Sequence, residues 1–316
     1  MINWGVIGYG RMGKQYVDCF KKESNVFKLI GISSKTKTTD FKDFIFYKSY
    51  EDLFKSKKID AVYISTLNNT HKNLVKEAHK YKKKILCEKP LGMNLKEVEE
   101  LYDLFIDNKN NFVEAIAYRS HPQTVSLLNI LKDKEIGEVK KIESNFGFKV
   151  KKINKESRLF KKGLGGGSIL DLGCYPLSFF NLFTKDKKIK VTQSNFNICE
   201  TNVDIDGEIF LKINDNIDAV GKVSFRENLK NICRIHTDKA LIIVMEPWLP
   251  SDKTYIEVET KSRYFKKITS TTKSVYDHHL EQSSNFFLKN IFEPNLLVNI
   301  EESLQISKML DIWRNK

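Results

Sequence analysis

The sequence predicts an α/β protein made of a parallel sheet with helices on both faces, followed by a mainly antiparallel sheet with few helices. Short apolar runs alternate with helix-patterned segments in the first part, which is typical of βαβ units. Beyond about residue 120, strand-like runs follow one another with turn residues between them. We therefore expect two domains, residues 1–119 and 120–316, and leave open whether the last helix packs back on the first.

The strands predicted for the first domain are apolar runs bounded by turn residues, at 2–7, 27–33, 59–65, 85–87 and 112–117. Helical spacing of apolar residues predicts helices over 11–22 and 71–81. A further helix is expected after Asn94, a good N-cap, because Glu97 follows three residues later, close to a capping box.

The second domain is expected to begin with a helix at 124–134. Its predicted strands are 139–148, 206–213, 219–225, 231–236 and 241–245. The Asn214-Asp215-Asn216 segment suits a hairpin turn between two of them, because Asn and Asp tolerate left-handed backbone. Helical patterns at 280–291 and 301–313 close the chain.

Composition excludes several classes of protein. With 316 residues and 41% hydrophobic residues, the chain has enough apolar material for two cores, so a disordered protein is excluded. No apolar window has the length of a membrane span, and the N-terminus lacks the pattern of a secretory signal, so we expect a cytoplasmic protein. Five scattered cysteines without a CxxC pair indicate reduced thiols, no disulfide framework and no metal site.

The formal net charge of +13 raises the question of a nucleic-acid partner. The lysines are spread along the whole chain in short runs such as 82–84, without a basic arm or interleaved aromatic residues. We therefore expect no nucleic-acid and no membrane partner. An anionic small ligand remains compatible with this charge.

A glycine-rich turn, Gly8-Tyr9-Gly10-Arg11-Met12-Gly13, lies between the first predicted strand and helix. This is the context in which GxGxxG binds a dinucleotide. The first glycine permits the tight turn, the second lets the backbone approach the pyrophosphate, and the third allows close helix–strand packing. The helix N-terminus then offers N–H groups to the phosphates. The alternative is a tight turn without a ligand.

The end of the second predicted strand bears on the choice between NAD and NADP. Sites for NAD usually have an acidic residue there, which binds the ribose 2′-hydroxyl. This sequence has Ser33-Ser34-Lys35-Thr36-Lys37 instead. Hydroxyls and lysines suit a 2′-phosphate, so we favour NADP, with NAD as the alternative. The other interpretation is that Lys35 and Lys37 lie in a solvated loop.

Four further segments carry a family resemblance. They are ISTLNNTH at 64–71, CEKPL at 87–91, EAIAYRSHPQ at 114–123 and GGGSILDLGCYP at 165–176. In this order behind a nucleotide turn, the segments resemble the Gfo/Idh/MocA oxidoreductases. The similarity is greatest to the branch with dihydrodiol and xylose dehydrogenases, glucose–fructose oxidoreductase and nucleotide-sugar 3-ketoreductases.

The resemblance implies an N-terminal Rossmann domain and a C-terminal α/β domain with an open, mainly antiparallel sheet. It also implies hydride transfer at a ring carbon of a sugar or similar cyclic alcohol, and a homodimer or higher homo-oligomer formed through that sheet. Two positions depart from common family choices. Leu67 replaces a frequent proline, and Tyr175 stands where many relatives have histidine, which favours the tyrosine-using branch.

Three residues are the candidate catalytic group. Oxidising an alcohol requires a base, and a tyrosine with a pKa near ~10 needs a neighbouring ammonium group to act as one at neutral pH. Lys89, at the end of a predicted parallel strand, and Tyr175 are expected to form that pair. Asp171 precedes Tyr175 by four residues and would share a helix face with it, although Pro176 predicts an irregular or kinked helix. Asp171 as a helix cap and Tyr175 as a core residue are the alternatives.

The remaining candidates follow from the glycine turn and from the resemblance. The cofactor-binding candidates are Gly8, Tyr9, Gly10, Arg11, Met12, Gly13, Ser33, Ser34, Lys35, Thr66, Asn68, His71, Glu88 and Lys89. The substrate-binding candidates are Tyr118, Arg119, His121 and Arg158. No role is assigned to the adjacent His278 and His279.

These observations favour an NADP-dependent dehydrogenase or reductase of a sugar or sugar derivative. One alternative is a nucleotide-sugar ketoreductase, whose diphosphate would contact Arg119, Arg158 and the basic surface. Another is a catalytically silent regulatory protein that binds NADP. The presence of both Lys89 and Tyr175 argues against the silent protein, because a sensor needs no acid–base pair.

Overall fold

A computed structural model describes residues 1–35, 43–184, 188–290 and 294–315. The chain forms two compact units. The first contains Met1–Arg119 together with Tyr276–Leu304, and the second contains Ser120–Val275 together with the residues from Gln305 on. The segment Tyr276–Leu304 was expected in the second domain but belongs to the first unit. The reason is that its helix buries apolar residues, including Leu280 and Phe287, in a core of the first unit.

The sheet of the first unit is parallel throughout, as the alternating pattern predicts. Its strands are β1 (Ile2–Ile7), β2 (Phe27–Ser33), β3 (Ile45–Phe46), β4 (Ala61–Ile64), β5 (Lys84–Glu88) and β6 (Phe112–Ala115), in the order β3-β2-β1-β4-β5-β6. The strand order reverses between β1 and β4. Ligands of open α/β sheets bind at the carboxyl ends of the strands beside such a point.

Four helices connect these strands, α1 (Arg11–Phe20), α2 (Tyr50–Lys55), α3 (His71–Lys80) and α4 (Leu95–Phe105). Asn94 caps α4 as expected, since its Oδ1 accepts the Glu97 N–H at 3.0 Å. The reciprocal bond of a capping box is displaced by one residue, because Glu97 accepts the Met93 N–H at 2.9 Å. Two separate apolar cores form, one around Trp4 and Tyr16 and one around Leu74 and Phe105.

The second unit contains an eight-stranded sheet. Its strands are β7 (Val139–Gly147), β8 (Ile189–Ile198), β9 (Asp204–Ile213), β10 (Ile217–Ser224), β11 (Ile232–Thr237), β12 (Ala240–Met245), β13 (Lys253–Thr260) and β14 (Tyr264–Ser270), in the order β14-β13-β12-β11-β7-β10-β9-β8. All neighbours are antiparallel except β7 and β10. The predicted fold class, an α/β protein with a parallel and a mainly antiparallel sheet, is confirmed.

The expected hairpin turn links β9 to β10. Asn214 and Asp215 adopt φ values of 49° and 64°, and Ile213 pairs with Ile217 across the three-residue loop. Left-handed backbone at two consecutive residues is tolerated best by glycine, asparagine and aspartate. The turn residues therefore fix the register of this pair of strands.

Three helices belong to the middle of the chain, α5 (Pro122–Leu131), α6 (Ser168–Leu172) and α7 (Cys174–Asn181). Two long helices follow β14, α8 (Val275–Phe287) and α9 (Ile300–Arg314). Helices α6 and α7 pack against β7, β9 and β10. Among the described segments, no helix combines the length and apolar character required to cross a membrane.

Candidate active site

The glycine-rich turn joins β1 to α1 at the carboxyl edge of the parallel sheet. Gly8 has φ +90°, and its N–H donates to the Ser33 carbonyl at 2.8 Å. The Ser65 hydroxyl donates to the Gly8 carbonyl at 3.0 Å, which ties the turn to the end of β4. A Cβ on Gly13 would lie 2.3 Å from the Gly8 oxygen, so only glycine permits this close helix–strand contact.

The geometry of this turn fits a dinucleotide. Gly10 is exposed, and a Cβ built on it would meet no atom within 4 Å in the described part of the chain, so the backbone there faces open space. Gly10, the N-cap of α1, has no side chain that could accept a hydrogen bond from the first N–H groups of the helix. Free N–H groups beside open space form an anion site that a diphosphate would fill. Tyr9 and Met12 are half-buried beside it, and Arg11 is exposed.

The end of β2 carries the residues that bear on cofactor preference. Ser33 is buried, Ser34 is half-buried and Lys35 is exposed, and no carboxylate occurs among these three. Burial raises the pKa of Tyr50 above its ordinary value, and a hydrogen bond from the Lys35 backbone N–H lowers it to a smaller extent. Thr36 and Lys37 lie outside the described residues.

The segment after β4 is fixed by buried polar contacts. The Thr66 and Thr70 hydroxyls lie 2.6 Å apart, and Asn68 is buried in a short 3-10 turn. His71 is fully buried at the start of α3. Its Nδ1 donates to the Pro90 carbonyl at 2.9 Å, and its Nε2 lies 3.2 Å from the Thr66 carbonyl. His71 thus connects this segment to the loop after β5.

Lys89 follows β5 directly and is half-buried at the carboxyl edge of the sheet. The Lys89–Pro90 peptide bond is cis. The preceding Glu88 is buried and accepts a hydrogen bond of 2.6 Å from the Tyr63 hydroxyl. Burial and the negative charge of Glu88 raise the pKa of Tyr63 well above its ordinary value, so Tyr63 remains a proton donor.

Sequence reasoning missed Tyr276, on α8. Its ring centroid lies 5.6 Å from that of Tyr16. Burial and then Glu88 raise the pKa of Tyr276, while the cations Arg11 and Lys89 lower it. The charges of Glu88, Arg11 and Lys89 therefore act on this tyrosine. A tyrosine more than 180 residues downstream of all three has no local signal in the sequence.

His279 lies deeper in the same unit. Its Nδ1 lies 2.7 Å from the Tyr16 hydroxyl, and burial lowers its pKa from 6.5 to about 3. Tyr16 in turn stacks on Tyr63, with ring centroids 4.0 Å apart. A neutral, fully buried imidazole at this depth belongs to the core.

In the second unit, Asp171 and Tyr175 lie on two short helices that meet at Gly173. The break was expected from Pro176, which has no N–H to continue the helical bonding. Asp171 is buried and accepts a hydrogen bond of 3.1 Å from Arg158. Tyr175 remains half-exposed.

Aromatic side chains surround the Tyr175 ring. Phe146 packs edge-on to it, with centroids 5.0 Å apart, and Trp248 lies at 5.8 Å. The Trp248 indole N–H donates to the Asn145 carbonyl at 2.9 Å, which fixes this ring. The phenol ring is therefore held by aromatic packing, while the residue remains partly exposed.

The candidates after β6 are buried and engaged. Arg119 forms an ion pair with Glu302 at 2.6 Å, and Tyr118 is 1% exposed. His121 caps α5, because its Nδ1 accepts the Gln123 N–H at 3.2 Å. These contacts give Arg119 and His121 structural partners, and substrate binding by this segment stays a prediction.

Cysteines and metal ligands add no chemistry to the described part of the chain. Each of the five cysteines is free, and burial raises the pKa of the Cys233 thiol well above its ordinary value, so this thiol is unreactive. Within the described residues, no three histidine, cysteine or carboxylate side chains are grouped as a metal site would require.

Comparison with known families assigns both halves of the chain. Residues 2–115 match a family described as "Oxidoreductase family, NAD-binding Rossmann fold", and residues 125–243 match the "GFO/IDH/MocA C-terminal domain". A trans-1,2-dihydrobenzene-1,2-diol dehydrogenase from Xenopus tropicalis is 31% identical over 274 residues, which is 84% of this chain and 80% of that protein.

Solved structures share the fold. A 3-ketoreductase from Actinomadura kijaniata, in complex with NADP and TDP-benzene, superposes with a TM-score of 0.85 at 18% identity and covers 99% of this chain and 97% of its own. An aldose-aldose oxidoreductase from Caulobacter crescentus gives 0.84 at 16% identity, with 99% and 96% covered. The chain therefore belongs to the Gfo/Idh/MocA oxidoreductase family and is an NAD(P)-dependent dehydrogenase or reductase.

Proposed function

We propose that the protein transfers a hydride between NADP and a ring carbon of a sugar or similar cyclic alcohol. The observation that carries this proposal is that the open glycine turn and Lys89 lie at the same edge of the parallel sheet. Bound NADP would supply the hydride acceptor or donor. The chain has to supply orientation and a proton acceptor.

The preference for NADP rests on the end of β2. Ser33, Ser34 and Lys35 offer a hydroxyl and an ammonium group where NAD sites usually present a carboxylate. The 3-ketoreductase with the same fold was solved with NADP, which supports the preference. A hydrogen bond to a charged group contributes about 1.5–3 kcal/mol, so loss of Lys35 should weaken NADPH binding by ~10–100-fold.

Fluorescence titration with NADPH and NADH tests this preference. We expect tighter binding of NADPH, and we expect Lys35→Ser to weaken NADPH binding without weakening NADH binding. Lys28→Ser is the matched control, because Lys28 is also exposed on β2 but lies at its amino end. Clearly tighter NADH binding by the unaltered protein would overturn the NADP assignment.

The acid–base chemistry is proposed to come from Lys89 and Tyr175. An ammonium group favours the phenolate form of tyrosine and stabilises a developing alkoxide, which brings a phenol into the range of a useful base. Asp171, paired with Arg158, would orient the substrate hydroxyl or Lys89. In the oxidative direction, Tyr175 takes the hydroxyl proton; in the reductive direction, it returns the proton.

Removing either group tests this assignment. General acid–base catalysis contributes ~10²–10⁴-fold, so Lys89→Met and Tyr175→Phe should each lower kcat by at least ~100-fold. Lys96→Met and Tyr264→Phe are matched controls, because both side chains are exposed and lie outside the candidate site. Turnover within a few-fold of the unaltered protein in both site variants would contradict the mechanism.

The ion pairs bear on the substrate class. Arg119 is buried in an ion pair with Glu302, whereas Arg158 is 39% exposed and donates one N–H group to Asp171, so a carboxylate already partly neutralises each cation. This favours an uncharged sugar or cyclic alcohol over a nucleotide sugar. Parallel assays with aldoses, dihydrodiols and keto-nucleotide sugars distinguish the two, and turnover of the nucleotide sugars alone would favour the ketoreductase.

A further inference from the structure

The loop that carries Lys89 is held from two sides by buried side chains. On one side, His71 of α3 donates to the Pro90 carbonyl at 2.9 Å. On the other side, Glu114 of β6 accepts the Leu91 N–H through its Oε1 at 3.0 Å. The two contacts hold the carbonyl and the N–H of the same peptide group, Pro90–Leu91, which lies one residue beyond Lys89. Leu91 itself is 2% exposed, so water does not compete for its N–H.

Glu114 is itself rigidly held. Its backbone N–H donates to the Val298 carbonyl at 2.9 Å, and its side chain is 2% exposed beside Ser303 at the start of α9. Burying a carboxyl group costs free energy of folding unless the group is hydrogen-bonded. No role was expected for Glu114, which begins the segment 114–123 and also lies in a run that predicts a buried strand.

We propose that Glu114 is a positioning residue for Lys89, acting through its hydrogen bond to the Leu91 N–H. The inference rests on the proposed function, in which Lys89 is catalytic. Displacing a catalytic group by about 1 Å can cost ~10²-fold in rate. Glu114 does not touch the reacting atoms in this account; it sets where the loop that carries them lies.

The charges around Glu114 make this contact depend on pH. Burial raises its pKa to about 7, the Ser303 hydroxyl and the Leu91 N–H lower it, and Glu302 and Glu88 raise it. Cys87 also lies beside it in the same sheet, and Glu302 is itself paired with Arg119. An ionised carboxylate accepts a stronger hydrogen bond than its neutral acid, so the loop is held most firmly above about pH 7.

Three variants test the proposal with kinetics. Glu114→Leu removes the acceptor and should lower kcat by ~10–100-fold, because a displacement of about 1 Å in a catalytic group can cost ~10²-fold in rate. Glu114→Gln keeps an acceptor oxygen, so it should recover most of that loss while its kcat no longer changes near pH 7. Lys83→Met is the control for general destabilisation, since Lys83 is a buried residue that bonds the Ser56 and Ile59 carbonyls.

Hydrogen exchange of the peptide that contains Leu91 tests positioning without relying on turnover. Glu114→Leu should speed exchange at Leu91, whereas Glu114→Gln and Lys83→Met should not. Unchanged exchange at Leu91 in Glu114→Leu, or a pH profile of Glu114→Gln identical to that of the unaltered protein, would overturn the proposal. If exchange at Leu91 is faster in Glu114→Leu but Lys89→Met keeps full activity, the catalytic role of Lys89 is refuted. The contact between Glu114 and the Leu91 N–H would still be supported.

Discussion

Individual buried ionisable residues give this protein two opposing dependences of stability on pH. The pKa of Glu114 is raised from 4.5 to about 7 by burial, and the pKa of His279 is lowered from 6.5 to about 3 by the same cause. Each shift means that folded and unfolded chains bind different numbers of protons over the intervening range. Because the two ranges overlap, single variants are needed to separate them.

Glu114 should stabilise the fold at low pH and destabilise it as pH rises. Between pH 4.5 and about 7 the folded chain keeps a proton that the unfolded chain has lost, so stability falls by on the order of 3 kcal/mol across this window. Relative to the unaltered protein, Glu114→Gln should gain stability as pH rises through it. Urea unfolding at several pH values measures this, and a constant difference between the two proteins would contradict it.

His279 should act in the opposite direction. Between pH 6.5 and about 3 the histidine is protonated in the unfolded chain but neutral in the folded chain. The fold therefore loses stability as pH falls. His279→Gln removes this titration and keeps a partner for the Tyr16 hydroxyl. Its unfolding midpoint should therefore rise relative to the unaltered protein as the solution is acidified. A relative midpoint that falls instead would show that the imidazole is protonated in the fold.

At the scale of the element, two glycines of the β1–α1 turn are expected to have different effects. Gly10 should matter for NADPH binding and Gly13 for the stability of the fold. Gly10→Ala adds a methyl group to open space, so the unfolding free energy should hardly change while NADPH binding weakens at least ~10-fold. Gly13→Ala forces a Cβ within 2.3 Å of the Gly8 oxygen and should destabilise the fold by about 1–3 kcal/mol. Urea unfolding without cofactor and fluorescence titration measure the two effects. Equal loss of affinity and stability in Gly10→Ala would refute this division.

The elements that could be predicted are those whose burial is complete. The runs that became β4 and β6 are buried at every position, and the sequence predicts a strand at both. The strands β8, β13 and β14 were not predicted, because each contains many polar and charged residues, and β8 and β14 are exposed over much of their length. They are strands because they pair with the strands next to them, β8 with β9 and β13 with β12 and β14.

The candidate site could also be predicted from the sequence only in part. The glycine turn and the Lys89-Pro90 step are local motifs, so their position at the end of a strand was predictable. The partners that hold them were not: Glu114 reaches Leu91, 23 residues away, and Tyr63 reaches Glu88, 25 residues away. Such contacts depend on the order of strands in the sheet, which no local pattern records.

At the scale of the whole molecule, the eight-stranded sheet presents a half-exposed face. One row of side chains crosses seven strands of it and mixes apolar with charged residues, namely Phe210, Val220, Glu143, Arg234, Ile243, Glu257 and Lys266. A face of this size and composition suits an interface between subunits. We therefore propose that the protein forms a homodimer or higher homo-oligomer through it.

Charge introduced on that face should dissociate the assembly. Val220→Lys and Phe210→Lys place an ammonium group in the proposed interface, and light scattering should then report a monomer. Ile106→Lys is the control, because Ile106 is 44% exposed on the first unit. A monomeric unaltered protein, or an unchanged mass in both sheet variants, would contradict assembly through this face.

The central claim, hydride transfer between NADP and a cyclic alcohol, is tested most directly with a substrate deuterated at its carbinol carbon. Mass spectrometry of the cofactor after incubation with NADP⁺ and deuterated aldoses or dihydrodiols should find deuterium in the reduced nicotinamide, formed at least ~100-fold more slowly by Lys89→Met. Reduced cofactor without deuterium, or no reduction by any of these alcohols in a protein that binds NADPH, would contradict it.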